Sequence, residues 1–224
     1  PLVVGVGENG TYAASDMPAL LHLTRDFVIL ENGESALLTL DGIQLFGTKG
    51  EQIERAPQHC DWTPEQAEKG GYPHFMLKEI YEQPQVIQDT LDGRISHNAA
   101  LEAAFGVKAK AIFNKVKRVQ IVACGTSFHA GQVAKYWFES IARLPCQVDI
   151  ASDYRYRDII VQPGTLFVTI SQSGETADTL AALRYASEKP YVASLAICNV
   201  ATSSLVRESD FCILTMAGRE IGVA

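Results

Sequence analysis

The sequence contains no stretch of about 20 apolar residues, the length a membrane-spanning helix needs, and no signal-peptide pattern opens it. It also lacks any C-x-x-C pair. Cys60, Cys124, Cys146, Cys198 and Cys212 are scattered and odd in number, which argues against a disulfide scaffold or structural zinc and for reduced thiols in the cytoplasm. Lys and Arg total 19 against 26 Asp and Glu, a net charge of −7, so the basic charge of a nucleic-acid binder is missing. No G-x-x-x-x-G-K-[ST] occurs, which excludes a Walker-type nucleotide loop. What is present is a globular composition: 224 residues, 47% hydrophobic and 20% charged, enough for one or two domains with a buried core. The chain starts at Pro1 without Met and stops at Ala224, and it reads like an excised piece of a longer protein.

Residues 1–50 carry short apolar runs separated by turn dipeptides. Leu2–Val6, Thr11–Ser15, Phe27–Glu31, Ser35–Leu40 and Ile43–Phe46 are strand candidates. Asn32-Gly33 and Asp41-Gly42 favour tight hairpins, because a type I′ turn needs positive φ. The expectation is an antiparallel meander, one layer that packs against a partner outside the chain. Asp16 with Met17–Leu23 suits a short capped helix. Residues 51–62 read as a linker, with His59 and Cys60 exposed; together with His74 they match no zinc spacing. Thr63-Pro64-Glu65-Gln66 marks a helix start. A helical stretch follows over Pro73–Glu82, and Pro84 begins another toward Leu91.

From Val119 onward the pattern changes. Val119–Ala123, Val148–Ala151, Thr165–Ile170, Val192–Ile197 and Phe211–Thr215 are short apolar runs alternating with helical segments. That alternation signals an α/β fold, a five-stranded parallel doubly wound sheet. A flavodoxin-like order, 2-1-3-4-5, brings strands one and three side by side with crossovers leaving in opposite directions, so a crevice opens at their carboxyl ends. The loops there are Cys124-Gly125-Thr126-Ser127 and Ser171-Gln172-Ser173-Gly174-Glu175.

Both loops are rich in hydroxyls and carry no basic residue. A helix N-terminus offers unpaired N–H groups and a positive dipole end. Thr126, Ser127, Ser171, Ser173 and Thr176 add hydroxyls, and Gln172 adds an amide. The expected ligand is a small phosphorylated metabolite held without Lys or Arg. Glu175 is the exception, because a carboxylate repels phosphate; it should point away, toward a helix dipole or a neighbouring chain. Cys124 as a nucleophile is a weaker reading than Cys124 as a small hydrophobe closing a buried strand.

Longer motifs carry a resemblance. Cys-Gly-Thr-Ser at 124–127, Ser-Gln-Ser-Gly-Glu-Thr-Ala-Asp-Thr at 171–179 and Ser-Leu-Ala-Ile-Cys-Asn-Val at 194–200 resemble the glutamine–fructose-6-phosphate aminotransferases (isomerising). So do Lys-Glu-Ile-Tyr-Glu-Gln-Pro at 78–84, Gly-Arg-Ile at 93–95, Tyr-Trp-Phe-Glu-Ser at 136–140 and Arg-Glu-Ser-Asp at 207–210. The resemblance implies three parts: residues 1–62 as the end of an Ntn-type glutaminase domain, 63–95 as a helical interdomain segment, and 96–224 as a first sugar isomerase (SIS) domain. It implies fructose 6-phosphate or glucosamine 6-phosphate as ligand, no cofactor, no metal, and a cytoplasmic homodimer formed through the SIS domains. Its phosphate-binding residues fall on Thr126, Ser171, Gln172, Ser173 and Thr176, with Ser127 close by, and Val223 contacts the sugar through its backbone. The family's Cys nucleophile and its Lys, Glu and His catalysts have no counterpart here, so this chain alone is expected to be inactive. Two other readings remain open on the residues: a phosphosugar-binding regulator without enzymatic activity, and a flavodoxin-like redox module.

Overall fold

The computed structural model describes residues 2–7, 10–15, 17–40, 42–60, 69–96, 99–106, 108–218 and 220–221. The helix start expected at 63–66, the Asp16 cap and Val223 lie outside these. The chain forms two compact units, residues 1–78 with 221–224, and residues 79–220.

Up to Cys60 the described residues of the first unit are strands and turns with one 3-10 turn at Pro18–Leu20, where a longer helix was expected. Strands β1 (Val3–Gly7), β2 (Gly10–Ala14), β3 (Asp26–Ile29) and β7 (Gln58–His59) form one antiparallel sheet in the order β2-β1-β3-β7. Strands β4 (Ser35–Thr39), β5 (Gly42–Phe46) and β6 (Gln52–Ile53) form a second. This corrects the single meander. Asn32-Gly33 does turn the chain, with Gly33 at φ +83°, but it passes β3 to β4 across sheets instead of pairing them. The two sheets then cover one another, as Val4 and Val28 of the first pack with Leu45 of the second. The apolar face assigned to an outside partner is therefore partly satisfied internally. The supposed linker also contributes: β7 pairs with β3, and Cys60 is buried beside Val3, Leu20 and Phe27, not exposed.

The division between the units falls inside helix α1 (Phe75–Leu91), one continuous helix that contains Pro84. Pro84 was expected to start a new helix. No residue of α1 is buried, so the carbonyl that the missing N–H leaves unpaired is open to water, and the helix tolerates the proline. After a small hairpin, β8 (Ile95–Ser96) with β9 (Ala99–Ala100), and short helix α2 (Ala109–Phe113), comes the parallel sheet. Its strands are β10 (Arg118–Ala123), β11 (Cys146–Ile150), β12 (Thr165–Ser171), β13 (Ala193–Cys198) and β14 (Phe211–Leu214), in the order β11-β10-β12-β13-β14. Renumbered from the first strand, that is 2-1-3-4-5, the doubly wound order expected, and every pairing is parallel.

Strand alternation gives the sheet two buried faces. On one face Val122, Phe167 and Ala196 pack with Tyr154, Leu183 and Leu205, which come from helices α4 (Ala151–Tyr154), α5 (Ala177–Ser187) and α6 (Ser204–Glu208). On the other, Ile121, Val168 and Leu195 meet Ala134 and Phe138 of helix α3 (Gly125–Ser140). Gly131 lets α3 lie close: a Cβ there would sit 3.1 Å from both Ile121 Cγ2 and Val148 Cγ1. Helix α4 is a single turn that follows β11 directly, with Ala151 and Tyr154 buried.

Candidate functional site

The site is built where β10 and β12 end beside each other, in register from Arg118↔Thr165 to Ala123↔Ile170. Each strand runs directly into a helix start. Cys124 is the N-cap of α3 and Thr176 the N-cap of α5, both extended in backbone, and neither side chain hydrogen-bonds its own helix. Helix α6 differs, because Ser203 Oγ accepts from Val206 N at 3.4 Å. Two helices of 16 and 11 residues therefore open toward the crevice with their first N–H groups uncapped by their own N-cap residues, an arrangement that favours an anion.

A cavity of about 220 Å³ lies between these helix starts. It is lined by Thr126, Ser127, Ser171, Gln172, Ser173 and Thr176, together with Cys124, Ile170, Thr179 and Glu220. Sequence reasoning named the first six, and the structure brings all six to one hollow. The volume lies below the roughly 300 Å³ at which drug-sized sites begin, and it suits a small polar metabolite. No Lys, Arg or His stands among the lining residues.

The second loop holds its shape through its own hydroxyls. Gly174 N donates to Ser171 Oγ at 3.0 Å, and Glu175 N donates to Ser173 Oγ at 3.2 Å. Both hydroxyls accept these bonds, so their own protons stay available for donation to a ligand. Gly174 adopts φ +67°, and a Cβ on it would lie 2.2 Å from Ser203 Oγ and 2.7 Å from Cys198 Sγ. The loop is thus pressed onto the segment after β13 with no room for a side chain. Gln172 O reinforces this contact by accepting from Asn199 N at 3.3 Å.

Glu175 turns away from the hollow. Its Oε1 accepts from Ser204 N at 2.8 Å, so the carboxylate serves the start of α6 and leaves the cavity without that charge.

Four lining residues escaped the sequence reasoning as ligand-facing groups, the apolar Ile170 among them. Cys124 lines the cavity half-exposed, with Thr179 Oγ1 donating to its Sγ at 3.9 Å. Thr179 was legible in principle, since it follows Thr176 by three residues and shares its helix face. Glu220 enters from beyond β14, where nothing local marks it. Glu220 and Gln172 also line a neighbouring hollow of about 170 Å³ with Glu79, Glu82, Gln83, Val86 and Ala217.

Comparison with known proteins agrees with this geometry. The SIS domain family description matches residues 112–224, the half of the chain that contains the whole parallel sheet and both loops. The chain belongs to the SIS domain family. This SIS chain is 56% identical, over all 224 residues, to the glutamine–fructose-6-phosphate aminotransferase [isomerizing] of Pseudomonas aeruginosa, and 52% identical over the same length to that of Haemophilus influenzae. In both cases the chain spans 37% of the relative's length. Among solved structures, the C-terminal domain of glucosamine-fructose-6-phosphate aminotransferase from Francisella tularensis superposes with a TM-score of 0.68 at 55% identity, over 70% of this chain and 44% of that one.

Proposed function

We propose that this chain is the sugar-phosphate-holding part of a glutamine-dependent enzyme that converts fructose 6-phosphate and glutamine to glucosamine 6-phosphate and glutamate. One observation carries the reading. Six hydroxyl- and amide-bearing residues converge on a single cradle without Lys, Arg or His at two helix starts, in a chain more than half identical to aminotransferases of that name.

The chemistry fits a phosphate monoester. Thr126, Ser127, Ser171, Ser173 and Thr176 donate O–H groups, and Gln172 donates its amide. The N–H groups opening α3 and α5 complete the shell around a dianion. Each hydrogen bond to a charged oxygen contributes about 1.5–3 kcal/mol, so four or five are enough without a cation. The sugar extends toward Glu220, whose carboxylate accepts from hydroxyls and disfavours a second anion. Val223 adds a backbone contact to the sugar in this reading.

Amination and isomerisation need an amine-bearing or imidazole base poised near neutral pH, and the lining residues include neither Lys nor His. The chain by itself binds and does not convert. In this reading the catalytic groups come from the rest of the intact enzyme, residues 1–62 belong to its glutaminase part, and residues 63–95 join that part to the SIS domain at 96–224. No cofactor or metal takes part. Among the described residues no helix is long and apolar enough to cross a membrane, and all five cysteines are free, which supports a cytoplasmic location. Pairing with a second copy is supported by the exposed Val133, Tyr136 and Trp137 of α3 and Ile141 just after it.

The test is titration of the purified chain with fructose 6-phosphate, followed by amide shifts, beside a coupled assay for glucosamine 6-phosphate. Saturable shifts at Thr126, Ser171 and Thr176 with no turnover support the reading. Shifts elsewhere, or none, overturn the cradle; turnover at an enzyme-like rate overturns the division of labour.

A further inference from the structure

We infer that Asn199 is a positioning residue that fixes the sugar side of the cradle, so that its side chain governs recognition of the sugar while the phosphate grip is left to the loops. The inference rests on the reading of the cavity as a sugar-phosphate site.

Asn199 follows β13 immediately and connects two segments that converge on the cavity. Its backbone N–H donates to Gln172 O at 3.3 Å, in the middle of the phosphate loop. Its side chain serves the other segment. Nδ2 donates to Gly218 O at 2.6 Å, while Oδ1 accepts from Ala217 N at 2.7 Å and from Thr215 Oγ1 at 3.2 Å. Both ends of the amide are therefore engaged on residues 215–218, which lead to Glu220 at the cavity wall.

The segment so held is not relaxed backbone. Met216 has φ +49° and is half-exposed, a conformation that a non-glycine residue keeps only where its surroundings impose it. Neighbours on both sides supply the constraint: Thr215 and Ala217 bind Asn199, and Thr90 Oγ1 from the end of α1 donates to Thr215 O. Without the Asn199 amide, Ala217 N and Gly218 O lose their partners and Met216 is free to relax. Glu220 then loses its fixed place. The phosphate loop keeps its latch, because that bond comes from the Asn199 main chain, which every substitution except proline retains.

This split of roles gives a selective test on the whole chain with two ligands, fructose 6-phosphate and inorganic phosphate. Asn199→Ala is expected to weaken fructose 6-phosphate about tenfold, as removal of several hydrogen bonds from a positioning segment does, while inorganic phosphate stays within about twofold. Should Asn199→Ala fail to fold, Thr215→Val removes one bond to the same amide, and its expected effect is a smaller loss confined to fructose 6-phosphate. Amide shifts in the unliganded variants should change at 215–218 and not at 171–174. Unchanged fructose 6-phosphate binding, or equal losses for both ligands, overturns the inference, the second outcome meaning a merely structural asparagine. Wild-type chain that binds neither ligand overturns the cradle reading itself.

Discussion

Glu175 Oε1 accepts a hydrogen bond from Ser204 N at 2.8 Å, and so a carboxylate in the hydroxyl-rich loop after β12 caps a neighbouring helix. Ser203 Oγ receives Val206 N at the same helix start. Between them, the two side chains satisfy N–H groups that α6 would otherwise leave unpaired. Glu175→Ala is expected to lower stability by about 1 kcal/mol, the usual cost of a lost cap, and to weaken fructose 6-phosphate severalfold by loosening the loop. Glu175→Gln keeps an acceptor oxygen and should restore most of both. Thermal unfolding and ligand titration of the two variants check this; a glutamine variant as impaired as the alanine one would show that charge, not capping, is what matters.

Gly174 is the least replaceable position of the loop. Its φ of +67° disfavours any L side chain, and the Cβ of an alanine would meet Ser203 and Cys198 at 2.2 and 2.7 Å. Gly174→Ala should therefore cost more than about 2 kcal/mol of stability and abolish phosphosugar binding. Unfolding curves that coincide with wild type would contradict this geometry.

The hydroxyls of the cradle should contribute separately. Thr126→Val, Ser171→Ala and Thr176→Val each delete one donor, and each is expected to weaken fructose 6-phosphate by about 10-fold to 100-fold, following about 1.5–3 kcal/mol per bond to a charged acceptor. Ser171→Ala should also lower stability, since Ser171 Oγ accepts from Gly174 N. Calorimetric titration of the three variants measures the effect. A donor whose removal leaves affinity unchanged does not touch the ligand.

The first unit should carry an acid-sensitive pair. Arg55 donates from Nη1 and Nη2 to the two carboxylate oxygens of Glu34 at 2.8 and 2.7 Å. The guanidinium first, and then the N–H of Glu31, hold the Glu34 carboxyl below its ordinary 4.5. A depressed folded-state value means the stabilisation is complete above 4.5 and is lost as pH falls through the lower folded value. The melting temperature of wild type should drop across that interval more steeply than that of Glu34→Gln. Parallel pH profiles would remove the pair from the account.

Thiol chemistry should distinguish a buried cysteine from one that lines the cavity. Burial, with Glu139 nearby, pushes the Cys146 thiol up to about 11, so at pH 8 it is almost wholly protonated and should alkylate very slowly. Cys124 lines the cavity, and fructose 6-phosphate should protect it from iodoacetamide. Mass spectrometry of labelled peptides with and without ligand reads both effects, and labelling of Cys124 that ignores saturating ligand would argue against occupation of the cavity.

The parallel sheet was legible because each βα unit advertises itself locally. Val119–Ala123 and Thr165–Ile170 are mostly apolar and rich in β-branched residues, as strands buried on both faces are, and each ends in a hydroxyl-rich loop before a helical stretch. The six cradle residues lie in those loops, so reading the strand order correctly was enough to bring them together. The first unit resisted the same reading. Asn32-Gly33 has the composition of a hairpin turn, yet β3 and β4 join different sheets, because a dipeptide fixes the bend and not the partner. Cys60 looked like part of a linker because β7 is only two residues long, too short to leave an alternating pattern.

By itself the sequence determined the five strands of the parallel sheet and which loops are chemically suited to an anion, since both depend on residues adjacent in the chain. Only the tertiary structure decided that Glu175 serves Ser204, that Asn199 holds residues 215–218, and that Glu220 joins the cavity wall. Those partners lie 16 to 29 residues apart for Asn199 with Thr215 and Glu175 with Ser204. Contacts at that range are chosen by packing and by the need to satisfy buried polar groups, neither of which leaves a local pattern.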